Sequence, residues 1–342
     1  MEGKYLIVNV GSTSKRYAVY FRNKAVFNIH FKTNSGLPKI SDILKKNNVI
    51  KNEGEITKIG IRVVSPGIYF QRTRIIDKTY LKMLEQSVAM APLHIKPTFE
   101  EIKKLQKQFP NVKIIGVSDS SFHSTMPEIA RLYAIPLSDS KKFQIYRYGY
   151  HGISISSVIS QIKSKYKKIP SKIIVCHLGG GSSITAVKNG KSVETSMGFT
   201  PLEGLPMSTR SGNIDFNAGL YILKSKKITR IEGYLNEKSG FLGISEISDS
   251  MDKLIKLSKS GNKKAELAVD KFVYEIEKYI GAYTAVLGGV DLLVFTGAIG
   301  ENSHFIRKLI IKKLKFLGIE GLKILVLHTN EEEEIFKETI KF

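Results

Sequence analysis

The sequence predicts an α/β protein made of two related domains, and three observations carry that prediction. The chain has 342 residues, too many for one small core. Its 42% hydrophobic and 25% charged residues are ordinary for a globular protein, which sets aside disorder, collagen and coiled coil. One local design, strand then small-residue turn then strand, occurs twice, starting near residues 5 and 173.

In the first copy, residues 5–8 have a strand pattern, Asn9-Val10-Gly11-Ser12-Thr13-Ser14 form a turn and residues 17–21 form a second strand. The second copy runs through residues 173–176, the turn His177-Leu178-Gly179-Gly180-Gly181-Ser182-Ser183 and residues 184–187. Its next strand is joined through Asn189-Gly190, a strong hairpin signal. Glycine lets the backbone approach a ligand closely, and serine hydroxyls and N–H groups suit phosphate oxygens. Each turn alone also fits a plain hairpin. Between the copies the pattern predicts a strand at 59–61, helices at 78–90 and 98–109 and a strand at 112–117. Beyond them it predicts a helix at 262–287, a strand at 292–295, a turn at 296–300, a helix at 303–317 and a strand at 324–327. Glu331 to Glu334 open a last helix, where negative charge complements the helix dipole.

Several function classes are set aside. The single cysteine, Cys176, cannot form an internal disulfide, and its apolar strand setting predicts a buried thiol. The N-terminus lacks the pattern of a signal peptide, and the longest apolar stretch, 282–300, is interrupted by Asp291 and by glycines. A soluble, cytoplasmic protein without a membrane partner is expected. The formal charge of +22 comes from lysine pairs scattered over helical stretches, with no nucleic-acid motif beside them, so no specific nucleic-acid partner is expected. Gly190-Lys191-Ser192 lacks the first glycine of a P-loop, because Thr185 stands there; Ile184 replaces the last glycine of a dinucleotide fingerprint. The seven histidines show no zinc spacing.

Four polar stretches remain: Arg62-Val63-Val64, residues 119–123 from Asp119 to His123, residues 147–152 with Tyr150 and His151, and residues 207–215 with Arg210 and Asp215. With the two turns they read as anion handling. Arginine offers a planar fork to carboxylate or phosphate oxygens, and histidine donates to a charged transition state.

Taken together, NVGSTS at Asn9, MAPLH ending at His94, SDSSFHSTMPE around Asp119, RYGYHG ending at Gly152, CHLGGGSS from Cys176, TSMGFTPLEG from Thr195, STRSGNID around Arg210, FTGAIGENS from Phe295 and HTNEEE near the C-terminus strongly resemble the acetate kinase family, within the acetate and sugar kinase, heat-shock protein and actin superfamily. The resemblance covers nearly the whole chain. It implies two actin-like (ribonuclease H-like) domains with an interdomain active-site cleft. The N-terminal domain is 1–123, to which 331–342 return as a helix, and the C-terminal domain is 124–330. It also implies reversible transfer of the ATP γ-phosphate to acetate, with Mg2+ as the metal and Mn2+ able to replace it.

Residue by residue, the resemblance assigns Asn9 and Glu331 to the metal and Asp119, His151 and Arg210 to catalysis. Arg62 binds the substrate carboxylate, and Val64, Leu93, Tyr150 and Pro201 surround its methyl group. Ser12, Ser14, Arg16, His177, Leu178, Gly179, Gly180 and Gly181 fall on the phosphate side of ATP. Asp249, Ser250, Met251, Ala298, Ile299, Gly300, Glu301 and Asn302 fall on its adenine side. His94, His123 and His177 match further family histidines, and Asp215 is read as structural. A homodimer through the C-terminal domain is implied as well.

The chain also departs from the family pattern. Gly180 stands for the usual asparagine, Met251 falls where an arginine covers the adenine, Ala298 replaces a glycine, Arg16 replaces a lysine, and Ser65-Pro66 replaces His-Gly. These changes keep GTP or pyrophosphate as alternative donors and a catalytically weak nucleotide-binding regulator as a further reading; separately, the small apolar pocket with Tyr150 favours acetate and keeps propionate or butyrate as alternative acceptors.

Overall fold

The structure is a computed structural model that describes residues 3–11, 14–32, 38–314 and 322–342, the side chain of His94 excepted. The chain divides into two compact units. The first comprises Met1–Ser124, Gly152–Ser157 and Asn330–Phe342, and the second Thr125–His151 and Val158–Thr329.

The first unit holds a six-stranded sheet of β1 (Lys4–Val10), β2 (Ser14–Phe21), β3 (Lys24–Lys32), β4 (Ile56–Val63), β5 (Arg74–Ile75) and β6 (Lys113–Ser118), in the order β3-β2-β1-β4-β6-β5. β1, β2 and β3 form an antiparallel meander, while β1, β4 and β6 run parallel. Both faces of β1 are covered, so its apolar run is nearly unbroken. Leu6 and Val8 lie in a core with Leu84, Ile95, Ile102 and Leu105 from helices Lys78–Ser87 and Pro92–Gln108. Tyr5 and Ile7 face the other way and pack with Ile335 and Phe336 of helix Glu331–Thr339. Phe336 stacks on Tyr20 at 4.5 Å between centroids and meets Tyr5 edge-on at 5.4 Å, each contact worth about 0.5–1.5 kcal/mol beyond its burial.

The second unit repeats the arrangement. β7 (Lys172–Leu178), β8 (Ser182–Lys188), β9 (Lys191–Thr195), β10 (Leu292–Thr296) and β11 (Lys323–Val326) are ordered β11-β10-β7-β8-β9, with β7-β8-β9 antiparallel and β7, β10 and β11 parallel. Asn189 and Gly190 adopt φ of 51° and 78°, the left-handed pair that a two-residue hairpin needs. One face of this sheet packs on helix Lys263–Leu287, where Cys176, Ile184 and Phe295 meet Phe272, Val273 and Ile276. Asn262 caps that helix by accepting the Ala265 N–H at 2.9 Å.

The described elements differ from the expected ones in places. The helix expected at 98–109 is Pro92–Gln108, because Pro92 at its first turn fits and Pro97 removes only one early hydrogen bond. The expected turn 296–300 is instead the start of helix Gly297–Asn302. The helix expected at 78–90 is Lys78–Ser87. The one expected at 303–317 is His304–Lys313, and residues 315–317 lie outside the described residues. Strand β3 and the helices Gly152–Tyr166, Phe216–Ser225, Ile231–Glu237, Gly240–Ser245 and Met251–Lys259 were not anticipated.

Candidate active site

In the first unit, three predicted residues sit at the carboxyl ends of neighbouring parallel strands, the end at which open α/β sheets bind ligands. Val8 of β1 is in register with Ile61 of β4, so Asn9 and Arg62 come one step later on adjacent strands. Asp119 follows the last residue of β6, and its N–H donates to the Val63 carbonyl at 3.0 Å. Arg62 then forks onto Asp119, Nε to Oδ1 at 3.1 Å and Nη2 to Oδ2 at 3.0 Å. Its Nη1 lies 3.4 Å from Asn9 Oδ1 and 3.5 Å from Glu331 Oε2. Burial opposes the charge on Arg62, but Asp119, Glu331 and Glu332 outweigh it and hold the guanidinium above its ordinary value.

Glu331 arrives on the face expected from strand alternation. Tyr5 and Ile7 face helix Glu331–Thr339, so Asn9, two residues further on, faces the start of that helix. Asn9 Nδ2 donates to Glu331 Oε2 at 2.7 Å and to Glu332 Oε1 at 3.1 Å. The Ser154 hydroxyl also donates to Glu331, and Arg16 Nη1 lies 3.7 Å from Glu332 Oε1. Asn9 Oδ1 and the Glu331 carboxylate are oxygens of the kind Mg2+ accepts, although Asn9 here turns its Nδ2 to Glu331 and its Oδ1 to Arg62, and among the described residues no group of three His, Cys, Asp or Glu is arranged to hold a metal. A partial shell of this kind fits an ion whose remaining ligands are phosphate and water. Val64 is buried beyond β4, while Leu93 is exposed near the start of helix Pro92–Gln108. Ser14 begins β2, and Ser12 lies outside the described residues.

In the second unit, His151, Arg210 and the glycine turn after β7 come together. His151 precedes helix Gly152–Tyr166 in a left-handed conformation, φ 62°. Its Nδ1 lies 2.9 Å from the Ser183 hydroxyl, and its ring is tilted 41° against that of His177 with centroids 4.4 Å apart. A Cβ on Gly181 would lie 3.2 Å from His151 Nε2 and 3.6 Å from Arg210 Nη1, so both side chains converge on this turn. The Gly180 carbonyl accepts the Ser208 N–H at 3.2 Å, which ties the turn to the segment carrying Arg210. Arg210 Nη1 donates to the Pro201 carbonyl at 3.2 Å, and Tyr150 donates to the Phe199 carbonyl at 2.6 Å.

The adenine-side residues follow β10. Gly297, at φ 78°, packs so closely on Leu178 that a Cβ would lie 2.7 Å from its carbonyl oxygen, which brings helix Gly297–Asn302 against the glycine turn. Glu301 accepts the Gly297 N–H at 2.9 Å and meets His328 Nδ1 at 2.8 Å, and Asn302 Nδ2 donates to the Ala298 carbonyl at 2.9 Å. Ala298 is exposed, Ile299 half-buried and Gly300 buried. The Ser208 hydroxyl donates to the Asp249 carbonyl at 3.0 Å, and Asp249 and Ser250 are exposed. Met251, expected beside them, is instead in the core with Leu254 and Phe272: Ser250 caps helix Met251–Lys259, and the first helical residue turns inward. Leu178 is buried, as are Cys176 and His123. Burial pushes the Cys176 thiol well up, in keeping with an inert thiol. Asp215 caps helix Phe216–Ser225, the structural role expected of it.

Sequence reasoning missed Glu332, Ser154 and Ser183. Glu332 was concealed in the acidic run, where dipole complementarity already explained the charge.

Two sheets of one duplicated topology, with Arg62 beside a carboxylate in the first unit and Arg210 beside a histidine and a glycine–serine turn in the second, have the architecture and the residue types of an actin-like phosphotransferase. Residues 6–339 match the Acetokinase family. An acetate kinase of Carboxydothermus hydrogenoformans is 41% identical over 100% of this chain and 90% of its own length. Among solved structures, a propionate kinase from Francisella tularensis is 33% identical with a TM-score of 0.90, covering 99% of this chain and 100% of that one. Porphyromonas gingivalis acetate kinase is 30% identical with a TM-score of 0.85 over 99% of each chain. The chain belongs to the acetokinase family, whose members are kinases with a carboxylate acceptor.

Proposed function

We propose that the protein is an acetate kinase: an acetate oxygen forms a bond to the γ-phosphorus of ATP as the bond from that phosphorus to the β–γ bridging oxygen breaks, giving acetyl phosphate and ADP, and the reaction runs in both directions. The observation that carries the reading is the buried fork of Arg62 on Asp119 beside Asn9 and Glu331, in a chain that matches the family from residue 6 to 339. Phosphoryl transfer needs positioning and charge neutralisation more than a covalent catalyst. Arg62 orients the acetate carboxylate, and Arg210 and His151 stabilise charge on the phosphoryl oxygens. Asp119 holds Arg62. Val64, Leu93, Tyr150 and Pro201 enclose the methyl group. The glycine turn at 179–181 takes the phosphates, with Ser12, Ser14 and Arg16 from the first unit, and the segments at 249–250 and 298–302 take the base. Asn9 and Glu331 would hold Mg2+, which supplies neutralisation of the phosphate charge when bound.

We further propose a homodimer. Ile129, Phe143, Phe216 and Tyr221 of the second unit are exposed, Phe216 at 76% and Tyr221 at 73%, large apolar side chains that a second copy would cover. No described helix is long and apolar enough to cross a membrane. A cytoplasmic site of action is part of the proposal.

Acyl-hydroxamate formation with acetate, propionate and butyrate, each with ATP, GTP and pyrophosphate in Mg2+ buffer, tests the reading. The expected result is fastest turnover with acetate and ATP. Propionate is the acceptor to compare most closely, since a solved propionate kinase matches over nearly the full chain, and one methylene is worth only about 1–3 kcal/mol in an apolar pocket. Folded protein that yields no hydroxamate with any pair overturns the proposal in favour of a nucleotide-binding regulator.

A further inference from the structure

A polar cluster in the second unit to which the reading above gives no role converges on residues 198–204. The Glu203 carboxylate accepts from Arg147 Nη2 at 2.7 Å and from the Tyr133 hydroxyl. That same hydroxyl accepts the Phe199 N–H at 2.8 Å. The ends of both side chains close over Gly198, where a Cβ would run into the Glu203 carboxylate and the Tyr133 oxygen. The carbonyl of Gly198 in turn accepts the Tyr148 N–H at 3.1 Å, which fastens the loop to the segment leading into His151.

The loop so held presents the two carbonyls that meet the proposed active site, Phe199 to Tyr150 at 2.6 Å and Pro201 to Arg210 at 3.2 Å. The kind of contact matters. Arg62 is gripped by a carboxylate, whereas the loop meets Arg210 with a neutral carbonyl. A carbonyl aims the guanidinium through a directed hydrogen bond and brings no opposing formal charge of its own.

Resting on the acyl-phosphate reading, we propose that Tyr133, Arg147 and Glu203 are positioning residues: they fix the 198–204 loop, and its Pro201 carbonyl fixes Arg210 for phosphoryl transfer. A displacement of about 1 Å in such a group costs on the order of 100-fold in rate. Loosening rather than removing the loop should cost less.

The test compares Glu203→Gln, Tyr133→Phe and the double variant with the parent enzyme, by kcat and KM for ATP under one set of conditions and by circular-dichroism melting. Each single variant is expected to lose about 10-fold in kcat while KM for ATP stays within about twofold. The double variant should resemble the worse single one, because both act through one loop. Single variants with kcat within about twofold of the parent overturn the proposal, as do losses that multiply in the double variant or that track the unfolded fraction. If Glu203→Gln does not fold, Tyr133→Phe decides, since it removes one hydroxyl and leaves the Arg147–Glu203 pair. An inactive parent overturns the acyl-phosphate reading and the clamp with it; an active parent matched by its variants overturns the clamp alone.

Discussion

Arg62 and Asp119 form a two-point pair at the carboxyl ends of adjacent parallel strands, with both contacts at 3.0–3.1 Å. Asp119 is fully buried and the Arg62 side chain is 13% exposed, so the pair is screened little by solvent.

Arg62→Lys keeps a positive charge but loses the two-point grip on Asp119. Turnover should fall about 100-fold, the scale for removing one oriented donor from a charged transition state. Asp119→Asn should fall by a similar factor while the protein still melts cooperatively. An Arg62→Lys variant that keeps half the parent kcat/KM would show that the fork has no role in transfer.

The metal reading predicts different effects for neighbouring glutamates. Glu331→Gln removes a ligand charge and should raise the Mg2+ concentration for half-maximal rate about 10-fold, equivalent to about 1.4 kcal/mol. Glu332→Gln, at a residue that touches Asn9 and Arg16, should shift it less. Equal shifts in a Mg2+ titration would assign both carboxylates to the ion.

A third prediction is a gain. Gly180 is exposed, and a Cβ there would meet only the Ser208 hydroxyl, at an ordinary 3.7 Å. Gly180→Asn restores the amide of the resembled family without a clash. One added hydrogen bond is worth about 0.5–1.5 kcal/mol, so KM for ATP should drop roughly 2- to 10-fold. An unchanged KM would show that the phosphates do not reach this edge of the turn.

The fourth concerns assembly. Phe216→Glu with Tyr221→Glu places charge at two exposed apolar side chains of the second unit, and sedimentation should shift from dimer to monomer. A parent that sediments as a monomer would refute the dimer outright.

Much of the fold is legible in the sequence, and the reasons are physical. The twin strand–turn–strand copies stand out because β1 and β7 are covered on both faces and must be apolar throughout. β3, an edge strand, was missed although Phe27, Ile29 and Phe31 alternate with Asn28, His30 and Lys32; the alternation covers only its second half, and none of its residues is buried. Helix Gly152–Tyr166 is rich in serine and β-branched isoleucine, poor helix formers whose placement is decided by packing. At the site, Asn9, Arg62, Asp119, His151 and Arg210 are readable as residue types in unusual surroundings. Tyr133 and Glu203 are not, because what distinguishes them is a meeting of side chains 70 positions apart.

Helix Glu331–Thr339 covers Tyr5, Ile7 and Tyr20 on the first sheet. A ribosome delivers those residues long before Phe336, which follows only after the whole second unit has emerged. Until then that face of the N-terminal sheet lacks its cover, and transiently exposed apolar surface of this kind is prone to aggregation. Glu331, which meets both Asn9 and Arg62, arrives with the same helix, so the charged cluster at the carboxyl ends of β1 and β4 is completed only when the end of the chain folds back onto the first sheet.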